Sequence, residues 1–295
     1  MWIGTQDGLN YFDGYNWQYW TKDDGQLTHA HVNYLLKDQA GYLWIFHVKG
    51  LDSKKSVLSI DLLSPERDRI VPIEDLLGAS LPFSVPEIQE FFSNGQDILY
   101  FTLAEEVWSY TRDHQFERVA LPLGFTPFHV FLDGTFVGHM EGKLALVDKQ
   151  GKLLQRLNYR LENRHFQLIG DRDQFWVWQW PSSCMAFKRE AQSQPYSESL
   201  LSLQPYRNAP FALLHYNPRQ NELWGNKEDT TYLLHPSGEV LFKVPGIPRR
   251  IAQDQDHNYW LGQYEIQLLQ LQRRKFRKLL HNTEAIKPDD NNFQC

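Results

Sequence analysis

Eleven histidines are spread over the 295 residues, and His29-x-His31 sets two imidazoles on one side of an extended segment. That is half of a metal site. Zinc asks for three or four such ligands, and spacing supplies no third, so a polar loop is the better account. The acidic pairs Asp23-Asp24, Glu105-Glu106 and Asp289-Asp290 fall in turn-rich stretches. Neighbours in an extended chain point to opposite faces, so no such pair can straddle a glycosidic bond alone. The sequence has no Gly-x-Ser-x-Gly elbow, no His-Glu-x-x-His helix and no phosphate-binding glycine loop. Its two cysteines, Cys184 and Cys295, make neither a disulfide framework nor a Cys-based zinc site. The expectation is a region without cofactor or metal that does no chemistry of its own.

A second polar set takes its meaning from a repeat. An aromatic residue follows a polar turn at Trp2, Trp44, Tyr100, Phe136, Trp176, Trp224 and Trp260, at intervals of 42, 56, 36, 40, 48 and 36 residues. Three positions beyond each anchor stand Thr5, His47, Leu103, His139, Gln179, Lys227 and Gln263, all polar but Leu103. Equivalent positions on repeated strands lie on one ring, where His47, His139, Gln179, Lys227 and Gln263 could orient a hydroxyl-rich ligand. Trp180, ahead of Pro181-Ser182-Ser183, offers an indole face for a sugar, and Lys227 a counter-charge for a uronate or sulfate. The competing account has each polar residue capping its own turn and Trp180 packing under its loop. Turn chemistry and the general burial of Trp weigh toward that account.

The elements that must position these residues are strands. The turns before the anchors include Ser93-Asn94-Gly95-Gln96-Asp97, Asp133-Gly134, Asp171-Arg172-Asp173 and Asn217-Pro218-Arg219-Gln220-Asn221. Such residues supply left-handed conformations or cap their own backbone, as tight hairpins require. Between them run apolar or alternating stretches of four to six residues, such as 98–102, 144–147 and 175–178. Helical periodicity is confined to Ile73–Gly78 and Glu87–Phe92. Seven units of about four short strands predict an all-β fold, a seven-bladed β-propeller of four-stranded antiparallel blades spanning 1–295 as one domain. One blade cannot bury both faces alone. Stacking blades around an axis buries each anchor against a neighbour.

Composition agrees with a packed domain: 42% hydrophobic and 22% charged residues, with 10 Trp, 14 Tyr and 18 Phe. The net charge of -6 argues against nucleic acid as a partner. The basic run Arg273-Arg274-Lys275-Phe276-Arg277-Lys278 reads as an outer strand whose charges guard an edge. No apolar run approaches the roughly 18 residues of a membrane span, and no direct membrane insertion is expected. Met1 leads straight into strand-like residues without a signal-peptide pattern, so the chain reads as a fragment or excised domain of a longer protein.

Residues 2–17, Trp-Ile-Gly-Thr-Gln-Asp-Gly-Leu-Asn-Tyr-Phe-Asp-Gly-Tyr-Asn-Trp, resemble the two-component regulator propeller repeat, as do Leu27, Val32 and Asp38–Ile45. The resemblance weakens between 46 and 250. It implies the periplasmic sensor region of a bacterial hybrid two-component system. There, propellers precede a β-sandwich, a membrane helix and a histidine kinase, and related receptors respond to oligosaccharides. An oligosaccharide ligand, those downstream domains and a second copy of the chain are the partners so implied. The family's blade makes Val32–Leu36 an inner strand, Trp44–Phe46 the second, Leu9–Phe12 the third and Trp17–Trp20 the outer one. Residues 291–295 would then close the ring or begin another propeller. Two other functions stand beside the sensor: a propeller lyase or glycoside hydrolase, and a protein-interaction scaffold.

Overall fold

The computed structural model describes residues 1–38, 40–49, 57–94, 98–104, 106–111, 115–161, 166–179, 183–189, 194–200, 212–217, 219–254, 256–263 and 268–272. Among them are seven antiparallel sheets, one five-residue helix and two short 3-10 turns. Each sheet is a meander in which spatial order follows the chain.

The first compact unit, Met1–Arg160, holds four sheets. Sheet 1 comprises Trp2–Gly4, Leu9–Phe12 and Trp17–Trp20; sheet 2 comprises Tyr34–Lys37, Leu43–Val48, Val57–Leu63 and Ile70–Pro72. Sheet 3 comprises Glu90–Ser93, Leu99–Thr102, Val107–Tyr110 and Phe116–Arg118; sheet 4 comprises Phe125–Val130, Phe136–Met140, Lys143–Val147 and Leu153–Arg160. The second unit, Leu161–Cys295, holds three. They are sheet 5 (Phe166–Gly170, Gln174–Gln179, Ser183–Lys188, Ser197–Leu200), sheet 6 (Ala212–Asn217, Glu222–Lys227, Thr230–Leu234, Val240–Pro245) and sheet 7 (Pro248–Gln253, Tyr259–Gln263, Leu268–Leu271). The fold is a seven-bladed β-propeller. Sheets 1 and 7 show three strands among the described residues, and the segments expected to add to them, 273–278 and 291–295, lie outside those residues.

All seven anchors fall on strands, six of them on the strand that follows a polar turn and Trp2 on the first strand. Trp44, Tyr100, Phe136, Trp176 and Trp224 are buried, whereas Trp2 and Trp260 are half-buried. Within each unit an anchor plugs into the next sheet along the chain. Trp44 meets Tyr110 of sheet 3 edge-on at 4.6 Å, and Tyr100 meets Phe136 of sheet 4 at 5.1 Å. In the second unit Trp176 meets Tyr216 of sheet 6 at 4.7 Å, and Trp224 meets Tyr259 of sheet 7 at 5.0 Å. Trp2 packs against the cluster that includes Leu43 and Leu63 of sheet 2. Edge-to-face pairs of this kind add to the area they bury.

The turn ahead of the anchor orients it. The Trp44 indole donates to Asp38 Oδ2 at 2.9 Å, while Asp38 Oδ1 accepts the Tyr42 amide at 2.9 Å. Asp254 does the same work for Trp260, at 2.8 Å, and for the Asn258 amide, at 2.8 Å. Three residues past each aspartate the backbone turns left-handed, at Gly41 (φ 93°) and His257 (φ 64°). A spacing of six brings the carboxylate onto the indole. Asp171 stands five residues before Trp176 and Asn217 seven before Trp224, and neither of those indoles bonds its turn residue. The repeat's glycine has a steric cause: a Cβ on Gly4 would lie 2.7 Å from Val32 O, and one on Gly138 2.3 Å from Thr126 O. Where Phe46 replaces that glycine, its ring lies flat on Phe91 of sheet 3, 3.8 Å away.

The expected helix at 73–78 forms as Ile73–Leu77. The one expected at 87–92 does not: a 3-10 turn at Val85–Glu87 leads into the strand Glu90–Ser93. Phe91 and Phe92 are both buried, and adjacent side chains can both bury only where the two faces of a strand are covered. The inner strand expected at 32–36 begins two residues later, at Tyr34.

Trp44→Ala should cost about 3–5 kcal/mol in chemical denaturation, the range for deleting a large buried aromatic, and Trp260→Ala less, because its ring is half-exposed. Equal losses, or unchanged stability in Trp44→Ala, would contradict the wedge role.

Candidate functional site

The seven residues three beyond the anchors do share one backbone position, at or beside the end of the anchor's own strand, which is the second strand of sheets 2 to 7 and the first described strand of sheet 1. Their side chains differ in fate. Thr5 caps its own turn: its hydroxyl donates to Gly8 O at 3.0 Å and accepts from the Asp7 amide at 3.3 Å. His139 is exposed on Phe136–Met140 and lies across from Thr126 and Leu144. Lys227 is half-buried at the end of Glu222–Lys227, across from Thr230. Gln179 and Gln263 end their strands, but their side chains lie outside the described residues, as does the whole of Trp180.

His47 is the departure. Its side chain is 1% exposed and sits inside the first unit. Nδ1 lies 2.7 Å from His31 O, and Nε2 lies 2.9 Å from Asp61 Oδ2. The same Asp61 oxygen accepts from the Thr28 amide at 2.9 Å and from the Thr28 hydroxyl at 3.0 Å. Ser59 Oγ stands 2.6 Å from Thr28 Oγ1. Since Thr28 spends its hydrogen on Asp61, Ser59 must donate to Thr28. The chain of bonds therefore runs Ser59, Thr28, Asp61, His47, His31. A carbonyl can only accept, so Nδ1 donates to His31 O, and Nε2 faces the carboxylate.

This cluster has the residue types of a hydrolytic triad with the wrong wiring. Nucleophilic catalysis needs a hydroxyl on the imidazole and the carboxylate behind it. Here the Thr28 hydroxyl bonds the carboxylate, Ser59 bonds Thr28, and both His47 nitrogens are engaged. With both members of the pair 1% exposed, the network serves packing. It ties the 28–31 segment to two strands of sheet 2. Asp61 was legible as a lone carboxylate inside the apolar run Ile60-Asp61-Leu62-Leu63. Its partner could not be named, because Thr28 and His47 lie 33 and 14 residues away. The His29 ring lies 5.6 Å from that of His47. No group of three His, Cys, Asp or Glu that could hold a metal is found among the described residues.

Burial, first, and then His47 and Lys22 hold His29 below the ordinary imidazole value, with Asp61 opposing. Burial does the same to His215. A histidine depressed in the folded state contributes stability that is complete above its unfolded value of about 6.5 and is lost as pH falls through the lower folded value. Thermal stability should therefore decline from pH 7 to pH 5, above the carboxylate range, and His215→Gln should flatten that decline. A melting temperature constant over this interval in the wild type would contradict the burial of both rings.

No family model matches the chain, and no curated protein does. Solved structures do. The extracellular domain of BT4673 from B. thetaiotaomicron, described in one structure as part of a one-component and in another as part of a hybrid two-component system, aligns at TM-scores of 0.55 and 0.56 with 12% and 15% identity, over 89% of this chain and 38% and 35% of those. PorZ of the type-IX secretion system of Porphyromonas gingivalis aligns at 0.58 with 13% identity, over 90% of this chain and 34% of that one. AztD from Citrobacter koseri aligns at 0.56 with 12% identity, over 93% and 78%. The chain thus spans little more than a third of the length of the first three structures. At these identities the shared property is the fold, and the extracellular domains of a two-component system are among the propellers that share it.

Proposed function

We propose that this chain is an extracytoplasmic, ligand-sensing propeller of a two-component receptor, with oligosaccharides as the ligand class and a histidine kinase outside the chain as the recipient of the signal. The observation that carries this reading is the coincidence of two independent signs. The repeat at residues 2–17 and 27–45 resembles that of such receptors, and the extracellular domain of a hybrid two-component system shares the fold over 89% of the chain. Non-catalytic action fits the hydrogen-bond wiring around His47, which leaves no hydroxyl on the imidazole. An extracytoplasmic place, with a β-sandwich and a membrane helix downstream, belongs to the same proposal; no described helix is long and apolar enough to cross a membrane. Ligand would be met at the ends of the second strands, at His139 in the first unit or at Lys227, Gln179 and Gln263, with Trp180 following Gln179, in the second. His47 is excluded from direct contact by its burial. A sensor also needs a ligand that binds two receptor states with different affinity.

Thermal-shift screening of the chain against a panel of oligosaccharides should give a stabilising ligand that is recovered chemically unchanged. A binder weakened by Lys227→Ala at intact stability would place the site. Turnover of the stabilising glycan would replace the sensor with an enzyme, and a panel without a single shift would leave an interaction scaffold.

A further inference from the structure

The first unit carries a second candidate site at the opposite end of its sheets from the Thr5 position. A cavity of about 40 Å³ opens there between two hairpin turns of sheet 2 and the first strand of sheet 1. Lys37, Gly41 and Leu43 line it from the first turn, Leu63, Ser64, Pro65 and Arg67 from the second, and Trp2 from sheet 1. By the same measure one water needs only about 10–15 Å³.

The lining holds two cations and no acid. Among the described residues neither Lys37 nor Arg67 makes an ion pair or a side-chain hydrogen bond. Arg67 is nonetheless held in place. Its guanidinium lies over the Tyr11 ring at 4.0 Å and beside the Trp2 ring at 5.5 Å. Those contacts strip water from a face of the cation and leave its in-plane N–H donors for another partner. The backbone beneath is fixed too. Ser64 Oγ donates to Asp68 Oδ1 at 2.6 Å, the Arg67 amide donates to Ser64 O at 3.0 Å, and Arg67 itself is left-handed at φ 65°. Of the two acids flanking Arg67 in the turn, Asp68 spends that oxygen on Ser64, and Glu66 is exposed and does not line the cleft. A pre-placed planar guanidinium with a lysine across a small cleft is matched by one planar, two-oxygen anion.

We propose that the Arg67–Lys37 cleft binds the carboxylate of a small acidic molecule, Arg67 pairing with its two oxygens and Lys37 adding a point charge. The cleft accommodates the carboxylate and little more, so the rest of the ligand lies in solvent. An acidic sugar is one source of that group and a simple carboxylic acid another. The proposal stands independently of the sensor reading, because it names a different end of the sheets and a different interaction.

The test is titration calorimetry of the full chain with galacturonate trimer, acetate, inorganic phosphate and, as a neutral control, cellotriose. Arg67→Asn keeps a residue that tolerates the left-handed turn, and Arg67→Lys keeps the charge but loses the fork. Binding of the trimer or of acetate should weaken as salt rises and fall on the order of tenfold to a hundredfold in Arg67→Asn, as for loss of hydrogen bonds to a charged group. Arg67→Lys should recover only part of it, and Lys37→Gln should weaken binding as well. Trimer binding without acetate binding assigns the cleft to acidic sugars, and binding of both assigns it to carboxylates at large. Phosphate bound more tightly than either, absence of any carboxylate binding, or wild-type affinity in folded Arg67→Asn would overturn the proposal.

Discussion

A four-stranded blade has two apolar faces and cannot cover either by itself. Everything else in this molecule follows from that constraint. Leu43–Val48 is buried along its whole length, which a sheet tolerates only when matter lies on both sides. The answer is the aromatic anchor. Trp44 enters sheet 3, Tyr100 sheet 4, Trp176 sheet 6 and Trp224 sheet 7, each meeting an aromatic ring of its neighbour. Burial also pushes the tyrosines that receive these anchors upward, Tyr110 and Tyr259 strongly and Tyr216 to about 12, so that they stay neutral in the core.

The same constraint explains why the anchors were readable in the sequence. A wedge of fixed size must recur at a fixed point, after a turn that aims it. The Asp-to-Trp spacing of six at Asp38–Trp44 and Asp254–Trp260 is a covalent ruler for one hydrogen bond. The worn repeats between 46 and 250 lose the motif but keep the wedge, because Tyr and Phe fill the same space. Replacement of the repeat's glycine by Phe46 looked like decay and is repacking, since that ring stacks on Phe91. Glu87–Phe92 misled because its apolar spacing fits a helix as well as a strand covered on both faces.

The candidate site was legible in its backbone and obscure in its side chains. Periodicity gives His47, His139, Lys227 and their equivalents the same position along their own strands, but it does not say which of them turns inward. His47 does so because Asp61 and Thr28 wait for it, and that pairing is a tertiary fact joining three stretches of chain. The Arg67–Lys37 cleft was invisible for a related reason: Pro65-Glu66-Arg67-Asp68 reads as an ordinary charged turn until Tyr11 and Trp2 appear beneath it.

The central claim, that within each unit a blade is held by its anchor's contact with the next, is tested most directly by a double-mutant cycle across one interface. Trp44→Leu and Tyr110→Leu should each destabilise the chain, and together they should lose less than the sum. A coupling of about 0.5–1.5 kcal/mol in denaturant unfolding is the value expected of such an aromatic pair. Losses that add to within about 0.3 kcal/mol would contradict it, and would mean that the rings are buried side by side without holding the blades together.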